Sequence, residues 1–362
     1  MIKKRIINKK SEKFLQDYLN NPSPTGFESQ GQKMWLKYIK PYVDTHFVDT
    51  YGTVVGVINP NAKYKVVIEA HADEISWFVH YITKDGFIYL RRNGGSDHQI
   101  APSKRVNIHT KKGLVKAVFG WPAIHTRTVA KEKSPALDNI FLDCGARTSK
   151  EVNKLGIHVG CVVTYEDEFI VLNKKFYVGR ALDNRIGGFM IAEVARLLKE
   201  NNIELPFGLY ITNSVQEEVG LRGAQMIADT IKPDIAIVTD VCHDTGTPMI
   251  NKIKQGDTQC GSGPVLTYGP AVHNNLLELI ITAAEDNNIP FQRAAASRAT
   301  GTDTDAFAYA SGGVASALIS LALRYMHTTV ESVAKEDVEN VIRLIYMSLL
   351  RIDKNHDFRY LK

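Results

Sequence analysis

Apolar runs of strand length recur along this chain, and several of them lead straight into a histidine or a carboxylate. Val66-Val67-Ile68 leads through Ala70 to His71-Ala72-Asp73-Glu74, Ile235 to Thr239 leads to Asp240, and Phe207 to Thr212 precedes the Glu217-Glu218 pair. Between such runs lie stretches with apolar residues at helical spacing. Strands that alternate with helices predict a largely parallel sheet flanked by helices, an α/β architecture. In an open sheet of that kind, sites gather outside the carboxyl ends of the strands. Three separate motifs fall where that rule puts a site.

Residues up to about 70 read as helix, helix, strand, strand. Ser11 is positioned to cap a helix through about Asn20, and Asn21-Pro22-Ser23-Pro24-Thr25-Gly26 must be a loop. A second helix from Phe27 to Lys40 carries Met34, Trp35, Tyr38 and Ile39 as core residues, and strands follow at Val54 to Ile58 and Lys65 to Ala70. From Ile75 to Tyr165 the texture changes to short alternating segments (Trp77 to Ile82, Phe87 to Arg91, Val106 to His109, Leu114 to Phe119) separated by Gly, Pro and Asn. Past Phe176 the alternation returns. Helices are expected at Asn184 to Lys199, Leu221 to Thr230, Val272 to Asn287 and Lys335 to Leu350, with strands at Phe207 to Thr212, Ile235 to Thr239 and Val314 to Ile319. The expected organisation is a discontinuous catalytic domain of residues 1–74 and 166–362, interrupted by a small β-rich domain at 75–165.

A chain of 362 residues suits two domains. The net charge of +5 comes from scattered Lys and Arg, with clusters only at Lys3-Lys4-Arg5 and Lys9-Lys10. A basic stripe with interleaved aromatics is absent, which argues against a nucleic-acid partner. Cys144, Cys161, Cys242 and Cys260 form no CxxC pair and read as reduced thiols of a cytoplasmic protein. The basic N-terminus has no apolar leader segment and no run of eighteen apolar residues occurs, so neither secretion nor a membrane is expected.

Five segments carry the chemistry: His71-Ala72-Asp73-Glu74, Arg180-Ala181-Leu182-Asp183-Asn184, Glu217-Glu218, Asp240 and Arg324-Tyr325-Met326-His327. They supply two imidazoles, a set of carboxylates and a spare glutamate, the stock of a dinuclear metallohydrolase. His71 can ligate through one ring nitrogen while Asp73 accepts from the other, fixing its tautomer. Asp183 opens a helix, where a plain N-cap and a bridging ligand compete for the same geometry. Of Glu217 and Glu218, one can ligate and its neighbour can act as general base on a water acidified by the ions. Asp240 and His327 complete two sites, expected about 3.5–4 Å apart as in two-metal hydrolases. His80, His98, His109, His125, His158, His243 and His273 lack comparable partners. Gly301-Thr302-Asp303-Thr304-Asp305 lacks the spacing of a calcium loop and reads as a helix start near a substrate pocket.

Over nearly the whole chain these segments resemble those of the TET-type metalloaminopeptidases, the family that includes glutamyl and deblocking aminopeptidases. The likeness rests on His71-x-Asp73-Glu74, Ala181-Leu182-Asp183-Asn184-Arg185, Glu217-Glu218-Val219-Gly220-x-x-Gly223-Ala224, Gly301-Thr302-Asp303 and Arg324-Tyr325-Met326-His327. The resemblance implies a zinc-peptidase-like catalytic domain and an inserted PDZ-like or β-barrel dimerisation domain. It implies two divalent ions per subunit, zinc or cobalt with manganese also compatible. One would be held by His71, Asp183 and Asp240, the other by Asp183, Glu218 and His327, with Glu217 as general base and Asp73 supporting His71. Short peptides would be the substrates and a dodecamer built from dimers the assembly. Ser76 and the run Leu318 to Leu323 depart from the family pattern, where glycine and proline are usual. Two other readings share the sequence: an N-acyl amino acid deacylase using the same ions, and a shell protein that binds peptides without turnover. Arg293 and Arg298, placed near the pocket, would favour acidic termini.

Overall fold

The computed structural model describes residues 6–128 and 133–361, so the Lys3-Lys4-Arg5 cluster lies outside the described residues. α1 (Lys9–Asn20) buries Phe14, Leu15, Tyr18 and Leu19 on one face. Its cap is Asn8, whose side chain accepts from the N–H groups of Lys10 and Ser11. The expected cap, Ser11, sits inside the first turn and is buried, because Asn8 already satisfies the free N–H groups there. α2 (Ser29–Ile39) buries Trp35, Tyr38 and Ile39, and Trp35 Nε1 donates to the Gly188 carbonyl at 2.7 Å.

The chain next lays down β1 (Thr45–Val48), β2 (Val54–Ile58) and β3 (Lys65–His71). It then leaves for a barrel of β4 (Ser76–Ile82), β5 (Ile88–Asn93), β6 (Arg105–Thr110), β7 (Gly113–Gly120), β8 (Phe141–Asp143) and β9 (Val162–Tyr165), with α3 (Ser149–Lys154) before β9. A hairpin of β10 (Ile170–Leu172) and β11 (Phe176–Gly179) leads into α4 (Leu182–Glu200). There follow β12 (Gly208–Ser214), α5 (Arg222–Ile231), β13 (Ile235–His243), α6 (Lys252–Gln255) and β14 (Val265–Tyr268). The last elements are α7 (Asn274–Asp286), β15 (Gln292–Ala295), α8 (Asp303–Ala308), β16 (Ala315–Leu323), β17 (Glu331–Ala334) and α9 (Lys335–Leu349).

The large sheet has the order β1-β2-β12-β3-β13-β16-β14-β15. Its heart, β12-β3-β13-β16, is parallel as the alternation predicts. The flanks are mixed: β1 on β2, β2 on β12 and β14 on β16 pair antiparallel. For β1 and β2 the cause is the five-residue link, too short for any crossover. The central strands read as unbroken apolar runs because the sheet is covered; β3 is buried from Val66 to His71. β11 pairs with β10 and β17 in a separate three-stranded sheet.

The barrel closes in the order β4-β5-β8-β7-β6-β9. It encloses a hydrophobic core of its own, including Trp77, Leu90, Val106, Phe119, Leu142 and Val163, distinct from the core of the large sheet. Among the described residues no helix is long and apolar enough to cross a membrane.

Gly223 sits where α5 starts against the end of β12, and its N–H donates to the Val215 carbonyl at 2.9 Å. A Cβ there would lie 2.2 Å from that carbonyl oxygen. Gly223→Ala is expected to destabilise the fold by about 1–3 kcal/mol, read as a lowered midpoint in thermal denaturation; an unchanged midpoint would contradict the packing described.

Candidate metal centre

The parallel register of β3 and β12 sets His71 beside Ser214, and that of β13 and β16 sets Asp240 beside Ser320. Asp240 lies within β13 rather than after it, since the strand runs on to His243. Asn184 Nδ2 donates to the Thr239 carbonyl at 2.7 Å, tying the opening of α4 to the residue before Asp240. At that opening Ala181 is left-handed with φ 60°, Asp183 and Asn184 leave helical geometry, and the peptide between them is cis.

Asp183 makes no capping bond. Its Oδ1 lies 3.2 Å from His71 Nε2 and its Oδ2 lies 3.3 Å from His327 Nε2. One short carboxylate thus faces two imidazoles with its two oxygens, as a ligand shared by two cations must. Asp240 Oδ1 is 4.0 Å from His71 Nε2, and Glu218 Oε2 is 3.4 Å from His327 Nε2. Donor atoms of His71, Asp183 and Asp240 gather within 4.8 Å of one another, and so do those of Asp183, Glu218 and His327. A third grouping of the same tightness joins His71 to Glu217 and Glu218, with Glu217 Oε2 3.7 Å from His71 Nε2.

Backbone donors hold the carboxylates in place. Glu217 to Val219 form one tight turn bracketed by left-handed Gln216 and Gly220. Asp73 pins it: its Oδ1 accepts from the Glu217 N–H at 3.0 Å, and its Oδ2 from the Glu218 N–H at 3.2 Å and Thr25 Oγ1 at 2.9 Å. The expected contact to His71 Nδ1 is present at 3.4 Å without the alignment of a hydrogen bond. Asp73 therefore organises the glutamate turn at least as much as the imidazole.

Two further carboxyls escaped the sequence reading. Glu331, buried on β17, accepts from the Asp183 N–H at 3.0 Å through Oε2 and from the His327 N–H at 2.8 Å through Oε1. Glu69, buried on β3, accepts from Ser214 Oγ at 2.5 Å and lies close to the buried Asp303 carboxyl. Neither Asp303 oxygen meets a hydrogen-bond donor, and Glu69 Oε2 is buried without one as well. Burial pushes Glu69 up to about 7, against the lowering effect of its Asp303 and Ser214 neighbours, while burial and then the Glu69 carboxyl push Asp303 well above its ordinary value.

The electrostatics fit a cationic guest. Burial, with Asp240, Asp303 and Glu218 adding, pushes the Glu217 carboxyl up to about 10 in the side chains alone. Burial likewise raises Asp240 and Glu218. Burial opposes the charged form of both imidazoles, yet hydrogen bonds and charge from neighbouring carboxylates outweigh it, lifting His71 well above its ordinary value and His327 to about 11. Glu218 Oε1 is buried without a donor. A surplus of buried carboxylates, two imidazoles and an unpartnered oxygen is the donor set that divalent cations satisfy.

Asp183, Glu217, Glu218, Asp240 and His327 border a cleft of about 650 Å³, which Leu221, Val241, Met326 and the start of α8 also line, while His71 lies behind them. Thr302 caps α8 by accepting from the Thr304 N–H, so the Gly301 to Asp305 segment is the helix start beside a pocket that its sequence suggests. His243, set aside on sequence grounds, is exposed and lines the same cleft. Arg293 and Arg298 do not line it. A larger cavity of about 720 Å³ lies under residues 355–361 and holds none of these donors.

Residues 52–344 match the family described as M42 glutamyl aminopeptidase. The chain is 31% identical to lysyl aminopeptidase of Pyrococcus furiosus over 347 residues, covering 95% of this chain and 98% of that one. It superposes on a TET aminopeptidase from a marine sediment Thaumarchaeota archaeon with a TM-score of 0.90 at 30% identity, covering 96% and 98% of the two chains. Pyrococcus horikoshii TET1 peptidase, described as assembling into a tetrahedron or a large octahedral shell, matches with a TM-score of 0.84 at 25% identity over 94% of this chain and 100% of that one. The chain belongs to the M42 glutamyl aminopeptidase family and is of its TET type. It is accordingly a peptidase, a hydrolase of the aminopeptidase class.

Glu331→Gln replaces one acceptor oxygen with an amide facing a backbone N–H. Since supporting groups of this kind typically set about 10–100-fold in metal affinity, titration calorimetry of the metal-free protein with zinc should show a loss of that order. Unchanged affinity would remove Glu331 from the centre.

Proposed function

We propose that the chain removes N-terminal residues from short peptides at a centre of two divalent cations. The observation that carries this reading is the division of Asp183 between His71 and His327. One ion would be held by His71, Asp183 and Asp240, the other by Asp183, Glu218 and His327. Bound ions supply Lewis acidity toward the scissile carbonyl and acidify a water for attack. Mixed imidazole and carboxylate donors suit zinc or cobalt, with manganese compatible.

Glu217 acts as general base. It borders the cleft, belongs to neither of the two ligand sets that share Asp183, and is aimed by the Asp73 bonds to its own turn. Its carboxylate takes a proton from the attacking water and hands it to the leaving amine. Asp73 keeps Glu217 and Glu218 apart in role by fixing the backbone between them. The cleft of about 650 Å³ suits a few residues of extended peptide rather than a folded protein.

The assembly described for Pyrococcus horikoshii TET1 supports a homo-oligomer, read here as dimers building a dodecamer that admits short peptides. Within the subunit, residues 1–74 and 166–362 form the catalytic unit, and 75–165 form the barrel that serves dimerisation. The reduced cysteines support a cytoplasmic setting.

Glu217→Gln should keep its bound metal, measured by elemental analysis, and lose turnover of free-terminus peptides by roughly 10²–10⁴-fold. Retained turnover would remove Glu217 as base, and cleavage mainly of acetylated peptides would replace the aminopeptidase reading with a deacylase. Chelation should also lower the thermal midpoint and re-addition of zinc restore it, because metal binding to the folded state contributes about 2.7 kcal/mol at a hundredfold excess over the dissociation constant.

A further inference from the structure

The free amine and the scissile carbonyl of an N-terminal residue are both bonded to its α-carbon. In the function proposed above both must reach the centre, so the side chain between them lands on whatever stands beside the ligands. Three apolar residues of the cleft stand there, each tied by the chain to a ligand. Val241 follows Asp240, Met326 precedes His327, and Leu221 lies just beyond Glu218. Leu221 is held firmly: it is left-handed with φ 60°, and its N–H donates to the Glu217 carbonyl at 2.9 Å. Met326 sits between left-handed Tyr325 and His327.

Charge in the same cleft is one-sided. Among the described residues that border it there is no lysine and no arginine. His243 and His327 are its only groups able to carry positive charge, and His327 belongs to a ligand set. Outside the centre its one carboxylate is Asp305, and that is already engaged. Asp305 Oδ1 accepts from the Thr300 N–H at 3.1 Å and Oδ2 from the Gly301 N–H at 3.0 Å, closing the loop before α8. Arg222 comes near the rim, its guanidinium 3.6 Å from where a Cβ on Gly220 would lie. It is exposed and does not border the cleft, and an ion pair made in open water adds little.

We propose that the cleft selects peptides with an uncharged, apolar N-terminal side chain, such as leucine or methionine, and discriminates against glutamate and aspartate. This substrate class rests on the aminopeptidase reading above. A carboxylate brought against the apolar wall would lose water beside Asp305 with no cation to meet it. A lysine ammonium would lose water where the spare carboxylate already serves its own loop. Those costs fall on charged termini alone, whereas an apolar side chain gains by leaving water.

The test is the ranking of kcat/KM for the metal-loaded full chain on tripeptides X-Ala-Ala, with X as leucine, methionine, alanine, glutamate or lysine. Leucine and methionine should exceed alanine by about tenfold or more, the scale of added methylenes in an apolar pocket. Glutamate and lysine should fall about a hundredfold below leucine. Ala299 borders the cleft from the exposed loop before α8, although its neighbour Arg298 does not. A299R therefore supplies the missing cation and should raise the ratio of glutamate to leucine turnover by about tenfold or more. A299Q, of similar reach without charge, should not. Circular dichroism checks that both variants are folded, and where A299R is not, the wild-type ranking alone decides. Glutamate or lysine ranking above leucine in the wild type would overturn the preference and leave the aminopeptidase reading standing. An unchanged ratio in folded A299R would overturn it too, because the cleft would not then receive the side chain. No turnover of any free-terminus peptide would instead remove the aminopeptidase reading, and the substrate class with it.

Discussion

Negative charge is packed at the carboxyl ends of the parallel strands in a density that a protein interior tolerates only with compensation. Asp73, Asp183, Glu217, Glu218 and Asp240 surround two imidazoles, with Glu69, Asp303 and Glu331 buried behind them. An isolated buried carboxylate would give up its charge. The surrounding structure can be read as the means of avoiding that outcome. Backbone N–H groups are turned inward at Glu217, Glu218, Asp183 and His327, each donating to a carboxylate. Left-handed residues at Ala181, Gln216 and His327 make those turns possible. Such backbone conformations cost of order 1–3 kcal/mol each and persist where the surroundings over-determine them.

Not every charged residue of the motifs belongs to the chemistry. Glu74 accepts the Ser23 N–H at 2.6 Å and pairs with buried Arg180, while Arg185 stands 3.7 Å away. Arg185 is fully buried, donates to the Asn21 carbonyl at 2.6 Å and lies 4.1 Å from the centre of the Tyr18 ring. These residues bind three segments together: the loop after α1, the exit from β3 and the entry to α4. A buried ion pair of this kind adds little net stability, but removing one partner typically costs about 3–5 kcal/mol. Its effect is positional, because the segments it joins carry Asp73, His71 and Asp183. Arg324 does the same beside His327 by donating to Asp244 at 2.8 Å just beyond β13.

The ligand candidates were legible in the sequence because each ends an apolar run or opens a turn, and strand-end polarity is a local signal. The parallel heart and the change of texture at the barrel were legible for the same reason. What failed was non-local or weakly patterned. Glu331 sits in Val330-Glu331-Ser332-Val333, which reads as an ordinary alternating strand, and its partner Asp183 lies 148 residues away. Glu69 looks like a stray acid inside an apolar strand until Asp303 is brought against it. β1 was missed because Thr45–Val48 is only half-buried and has no apolar run to mark it. β13 outruns its expected end because Asp240, Cys242 and His243 are polar residues continuing a ladder with β16, and register rather than hydrophobicity sets that length.

The barrel enters this picture through its attachment as well as its surface. The chain leaves the large sheet at His71 and returns from the barrel through the β10–β11 hairpin of the separate sheet toward Asp183, so β3 and β11 both lead into the centre. The loop after β5 returns to it. A Cβ on Gly95 would lie 2.5 Å from His327 Nδ1, and one on Gly94 would lie 3.2 Å from the Glu218 Cβ. Asn93 Nδ2 in turn donates to the Thr25 carbonyl at 2.8 Å, and Thr25 donates to Asp73. Glycine at 94 and 95 thus lets the barrel backbone close against the His327 and Glu218 side chains, where any larger residue would displace them. Movement of the barrel would be transmitted to the centre directly through these contacts, so the placement of the barrel and the geometry of the centre are one mechanical problem rather than two.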